Sequence, residues 1–334
     1  MPSILYIGGT GNLSAPCVEE SLKQGWSVSV VNRGKRPVPE GVQQIVCDIR
    51  RPGSLAEALE GRRFDAAADF LTFNREQLRM TLDALKDRTG RYLFISTASA
   101  YKKPAGPYPL TEETPLGNPF WEYSAEKGRC EAYLAGQSEI PWTVVRPSHT
   151  YGPSWIPSPF GSDTWTPAGR ILRGAPVISP GDGTSLWTLT HTRDFARAFA
   201  ALAGCDAASG QAFHITSEEY MTWDRVYTLL GEALGTAPRI EHVPSEVVRR
   251  LNPERGASLL GDKAVSAVFD NSKIRTLLPG WRAEIPFREG IRESLAWYDA
   301  RPDRKTEHPG TNREIDGILS AWERCLKALG TAGE

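Results

Sequence analysis

The stretch "SILYIGGTGNLS", residues 3–14, decides the fold. Its first half is an apolar run of strand length, and it passes directly into Gly8-x-x-Gly11-x-x-Ser14, which opens a helix reaching about Gln24. A glycine turn between a first strand and its helix brings backbone N–H groups and a helix N-terminus against a pyrophosphate, because no side chain blocks the approach. The same residues also suit a merely structural tight turn, so their place in the chain carries more weight than the pattern. Ser14 stands where a third glycine is usual, and it is small enough to keep helix and sheet close.

Outward from this turn, apolar runs alternate with helix-like stretches. "SVSVVN" (27–32), "VQQIVC" (42–47), "FDAAADFL" (64–71), "RYLFIS" (91–96) and "WTVVRP" (142–147) read as strands, and "REQLRMTLDALKD" as a helix. Short strands separated by helical patterns predict βαβ units and a parallel sheet. The Pro/Gly/Trp-rich stretch 151–186 reads as irregular loops around one short helix, after which "LWTLTH", a helix over 192–203 and the strand "AFHIT" (212–216) restore the pattern. The expected organisation is a sheet domain from 1–150 with 187–217, a smaller lobe from 151–186 with 218–301, and a polar linker plus one terminal helix over 302–334.

The chain has 334 residues, beyond the ~250–300 at which single cores usually stop growing, so two lobes are expected. Its 39 basic and 40 acidic residues leave a formal charge of −1, which gives no reason to expect a nucleic-acid or membrane surface. Five scattered cysteines form neither a disulfide framework nor a metal-ligand pattern, so no metal is expected and a cytoplasmic setting fits. No segment approaches the ~20 apolar residues that a membrane span needs. Ten tryptophans are many for this length; Trp121, Trp155, Trp165 and Trp187 fall where a substrate is expected, with aromatic core packing as the alternative for each.

At the end of the second strand, an NAD site usually presents an acidic residue to the ribose 2′-hydroxyl, whereas this chain has "NRGKR" (32–36). Arg33 offers a fork of donors to a 2′-phosphate, so NADP(H) is favoured over NAD(H); the alternative is a solvated basic loop. Asp48, just after the third strand, is a candidate contact to the adenine or a turn-capping residue. Further on, "WEYSAEKGR" (121–129) places Tyr123 and Lys127 four residues apart, a spacing that shares a helix face in any helix and by itself decides nothing.

Taken in order, the glycine turn, "FISTASAY" (94–101), "YSAEK" (123–127) and "RPSHTYGP" (146–153) resemble the extended short-chain dehydrogenase/reductase superfamily, in its NAD(P)-dependent epimerase/dehydratase branch. Further matches are "PVISPGDG", "HTRDFARAFA" and "PFREGIRESLAWY", so the resemblance spans about residues 3 to 300. It implies an α/β fold, a Rossmann-type doubly wound parallel sheet with a smaller C-terminal substrate lobe, and an NAD(P)-binding sheet domain. It also implies roles. Thr97, Tyr123 and Lys127 become the catalytic set, and Gly8, Thr10, Gly11, Asn12, Leu13, Asn32, Arg33, Asp48 and Pro147 join Tyr123 and Lys127 as cofactor contacts. Thr97, His149, Trp155 and Trp165 are the substrate-side candidates, while Arg170 and Arg173 lie near a position from which relatives reach a nucleotide diphosphate.

The residue types suit the chemistry. Hydride transfer between a carbinol and nicotinamide requires a proton to move on or off the oxygen, and an ammonium one helical turn from a tyrosine favours the phenolate. Ala98 and Ser99 occupy the positions where dehydratases of the family carry an Asp-Glu pair, which disfavours elimination of water. The first expectation is therefore an epimerase working by reversible hydride transfer on a sugar or sugar nucleotide, weighed against an NADPH-dependent ketone reductase and against a non-catalytic, nucleotide- or RNA-binding member. A homodimer through helices at about 74–88 and 121–136 is expected by analogy.

Overall fold

Seven strands form one parallel sheet: β1 (Ser3–Ile7), β2 (Ser27–Asn32), β3 (Gln43–Val46), β4 (Ala66–Asp69), β5 (Tyr92–Ile95), β6 (Trp142–Pro147) and, after three strands that lie elsewhere, β10 (Gln211–Ile215). The computed structural model describes residues 1–160 and 165–330. Strand order is β10-β6-β5-β4-β1-β2-β3, so the chain builds outward through β2 and β3 and then restarts on the other side of β1. That reversal leaves a crevice at the carboxyl ends of β1 and β4, where open sheets of this kind bind ligands.

Strand alternation divides the core into two layers. Ile4, Tyr6, Val28, Val30, Leu93 and Ile95 face one side, against α1 (Ser14–Lys23) and the helix Thr192–Ala203. Leu5, Ile7, Val31, Tyr92, Phe94 and Val144 face the other, against α2 (Ser54–Ala58), α3 (Arg75–Leu85) and α4 (Glu122–Ala135). Both faces are covered, which is why these strands read as nearly continuous apolar runs. The fold is thus the doubly wound α/β sheet that the sequence implies.

The remaining strands depart from the expected division. β7 (His149–Tyr151), β9 (Leu186–His191) and β11 (Tyr220–Thr222) make a separate three-stranded sheet, and β8 (Val177–Pro180) pairs with β12 (Ile240–Val243). "LWTLTH" therefore leaves the large sheet, and 151–186 holds β8 besides its short helix α5 (Thr166–Leu172). These elements surround a second core rich in aromatic side chains, including Tyr151, Trp165, Trp187, Trp223, Tyr227 and Tyr298. The terminal helix Pro309–Gly330 packs Ile315 and Ile318 onto Ile178, Val243 and Val248 and so is part of the fold. Among the described residues, no helix is long and apolar enough to cross a membrane.

Candidate active site

A cleft of about 940 Å³ runs from the β2–β3 edge, across the glycine turn, to the aromatic lobe. At the turn, Gly8 has φ +88°, and a Cβ there would lie 2.5 Å from the Leu71 side chain. Gly9, which the Gly8-x-x-Gly11 pattern leaves free, is equally constrained, since its Cβ would meet Val30 at 2.6 Å. Gly11 donates to Ser14 Oγ at 2.9 Å, and α1 begins without a side-chain cap, with Ala15 N–H taken by the Gly11 carbonyl at 3.0 Å and Pro16 having none, which leaves the Ser14 N–H for a ligand. Thr10, Asn12 and Leu13 line the same wall, with Asn12 Oδ1 accepting from Ser154 at 3.3 Å.

Beyond β2, Asn32 turns its Oδ1 to the Gly34 N–H and Gln44, at 2.8 and 2.9 Å, while its buried Nδ2 has no protein partner. Arg33, Lys35, Arg36 and Arg50 line this end of the cleft. Arg36 bonds the Thr10 carbonyl at 3.0 Å, and Arg50 grips Asp48, whose carboxyl is thereby held far below the usual carboxylate range. The orphaned amide and the glycine cradle fit a nicotinamide dinucleotide.

The catalytic candidates converge at the middle of the cleft. Thr97 stands two residues beyond the end of β5, α4 presents Tyr123, and the Thr97 hydroxyl acts on Tyr123 to lower its proton affinity. Burial acts first and in the opposite sense, with the charge of Asp262 adding to it, so the phenol is pushed up to about 12. Thr97 is itself fixed by Ser99, 2.9 Å from its Oγ1, and Ser99 by Ser124 at 2.6 Å.

Lys127 lies beneath, on the same face of α4. Its Nζ donates to the carbonyls of Thr72 and Ile95, both at 2.6 Å, and stands 4.6 Å from the centre of the Phe94 ring. Burial pulls its ammonium down to about 8. The expectation that Lys127 depresses Tyr123 is not met here, because the ammonium is committed to backbone oxygens and burial dominates at the tyrosine.

Pro147, expected as a cofactor contact, lines the cleft, and so do the substrate-side candidates His149 and Trp155. His149 sits between Trp187 and Trp223, ring centres 6.4 and 5.9 Å away, and burial holds it neutral, down to about 3. Trp165 does not belong here: it is 5% exposed and packs on Tyr298 at 4.9 Å, because the long 151–186 segment folds back into the lobe core. Arg170 and Arg173 are likewise turned away. Arg170 is fully buried against Asn312 and Asp316 of the terminal helix, and Arg173 pairs with Glu307.

Two residues without any motif complete the site. Asp262 and Lys263, on a single π-turn at Leu259–Lys263, line the cleft and pair at 2.6 Å. The Lys263 carbonyl accepts from the indoles of Trp187 and Trp223, at 3.0 and 3.1 Å, which anchors the turn. Only the unusual tryptophan count hinted at this arrangement.

With this geometry established, comparison with known proteins identifies relatives. A model of the NAD dependent epimerase/dehydratase family matches residues 4–216. The chain is 25% identical over 314 residues to the chloroplast stem-loop binding protein of 41 kDa b of Arabidopsis thaliana, covering 87% of this chain and 78% of that protein. It is 26% identical to 2′-dehydrokanamycin reductase of Streptomyces kanamyceticus, covering 73% and 70%. A dTDP-glucose 4,6-dehydratase of an Actinoplanes species is 30% identical, covering 73% and 72%. In shape, the chain is similar to UDP-glucose 4-epimerase of Thermus thermophilus in complex with NAD, with a TM-score of 0.72 over 90% of this chain and 99% of the other at 22% identity, which speaks for the fold alone.

Proposed function

The chain belongs to the NAD dependent epimerase/dehydratase family, and from that premise we propose that it is an NADP(H)-dependent reductase of a keto group on a sugar-type substrate. The observation that carries this reading is Tyr123: it lines the cleft together with Thr97, and burial keeps it protonated at neutral pH, the state a ketone reduction requires. The bound nicotinamide supplies the hydride. Tyr123 donates its proton to the oxygen that takes up negative charge, Thr97 polarises the same oxygen, and the remaining N–H of Lys127 is left for the cofactor ribose.

Net reduction is preferred to epimerisation on one further ground. Arg33, Lys35 and Arg36 around a neutral Asn32 suit a 2′-phosphate, and an NADPH pool drives one-way reduction. Dehydration lacks its acid–base pair, since Ala98 and Ser99 stand there and the Ser99 hydroxyl is engaged by Thr97 and Ser124. A purely nucleic-acid-binding role, suggested by the name of the stem-loop binding relative, finds little support in a chain of charge −1 with a complete Thr97/Tyr123/Lys127 set. The functional protein is read as a homodimer through the outer faces of α3 and α4, by analogy with relatives. The test is NADPH consumption with a panel of keto sugars. Consumption that releases NADP⁺ stoichiometrically supports reduction, whereas interconversion of epimers without cofactor release would favour the epimerase.

A further inference from the structure

We propose that the substrate of this cleft is a phosphate-free sugar or glycoside, held by its ring between Trp121 and Trp155 and not through a nucleoside diphosphate. The inference rests on the reading of the site as a nicotinamide-dependent reductase of sugar-type ketones, and it narrows the substrate class.

The argument is an inventory of positive charge. Six cationic side chains line the cleft among the described residues: Arg33, Lys35, Arg36, Arg50, Lys127 and Lys263. The first four follow β2 and β3, at the end opposite the aromatic lobe. Lys127 is spent on two carbonyls, and Lys263 is neutralised by Asp262 at 2.6 Å, with both side chains only 13% exposed. His149 is neutral, and residues 161–164, Gly-Ser-Asp-Thr, contain no cation. Arg170 and Arg173, the arginines best placed in sequence to serve a diphosphate, are locked onto Asp316, Asn312 and Glu307.

Among the cations that line the cleft, a nucleoside diphosphate buried in that end would meet none that is free; Lys103, near Asp262 and Lys263, does not line the cleft, and burial lowers its proton affinity. An unpaired buried charge is strongly unfavourable. The surfaces that are present suit a neutral ring. Indole faces pack the apolar C–H faces of a sugar, while the buried Trp155 Nε1 and His149 Nε2, which have no protein partner, offer hydrogen bonds to hydroxyls. The Asp262–Lys263 pair supplies an acceptor and a donor side by side, as neighbouring hydroxyls require.

The experiment is titration of UDP, dTDP, GDP and ADP into the protein saturated with NADPH, followed by tryptophan fluorescence and calorimetry. The expected result is a Kd above about 1 mM for every one, at least tenfold weaker than about 100 µM. Any of the four binding below about 100 µM with NADPH in place overturns the inference. NADPH fluorescence, recorded in the same samples, reports separately on the underlying reading: failure to bind NADPH would remove that reading, whereas a tight diphosphate beside bound NADPH removes only the substrate class.

Discussion

Glu131→Gln tests how the fold delivers Tyr123 to Thr97. Tyr123, Lys127 and Glu131 recur every four residues on one face of α4, and Glu131 ties that face to the sheet. It accepts from Ser96, the residue before Thr97, and from Arg146 Nη2 at 2.6 Å and Nε at 3.1 Å, with Arg146 on β6. Both side chains are under a tenth exposed, and Arg146 also donates to Tyr101 at 2.9 Å and to the Glu112 carbonyl at 2.8 Å. Glutamine retains an acceptor for Ser96 but leaves the guanidinium charge buried and unmatched, a loss of roughly 3–5 kcal/mol. At about 2 °C per kcal/mol for a chain of this size, Tm should fall by roughly 6–10 °C, with a parallel loss of kcat as Tyr123 loses its support. The assay is differential scanning calorimetry beside Glu139→Gln, which breaks the exposed Lys86 pair and should cost under about 1 kcal/mol. A Glu131→Gln protein indistinguishable in Tm from Glu139→Gln would refute the reasoning.

Arg33→Ala should weaken NADPH by roughly 1.5–3 kcal/mol, about 10- to 150-fold, and leave NADH nearly unchanged; equal affinity of the parent for both cofactors would contradict this. For ketone reduction, kcat/KM should fall as pH rises through about 8, because burial pulls Lys127 down to that value and its charged form exists below it. Lys127→Arg, which remains charged, should carry that limb to higher pH, and an unshifted profile would exclude Lys127 as its source. Sedimentation at micromolar concentration should give a dimer mass; a parent protein of one-chain mass would rule out the assembly.

Much of this was legible in the sequence because it is local. Six of the seven strands of the large sheet announce themselves as apolar runs, since strands covered on both faces need no polar alternation, and the exposed edge strand β3 is marked by its place after β2. The glycine turn, Thr97 and the Tyr123/Lys127 spacing are likewise contiguous patterns that the fold brings together. What escaped depends on long-range packing. Trp165 and Trp155 look alike in a Pro/Gly-rich stretch, yet one joins the lobe core on Tyr298 and the other lines the cleft. Arg170 reads as a surface cation until the terminal helix supplies Asn312 and Asp316. Asp262 and Lys263 carry no motif at all, being placed by indole bonds from Trp187 and Trp223. The proton affinity of Tyr123 also depends on burial, which a spacing of four residues does not encode.

The central claim is that Tyr123 is the acid that completes reduction, and Tyr123→Phe measures it most directly. Only a hydroxyl is removed, so the variant should keep the parental Tm and bind NADPH with unchanged affinity. Single-turnover reduction of the ketone that the parent consumes should slow on the order of 10²–10⁴-fold, the usual worth of a positioned acid–base group. A variant that binds NADPH normally and reduces the same ketone at close to the parental rate would contradict the account, leaving Tyr123 as an aromatic neighbour of Trp121 with no part in the chemistry.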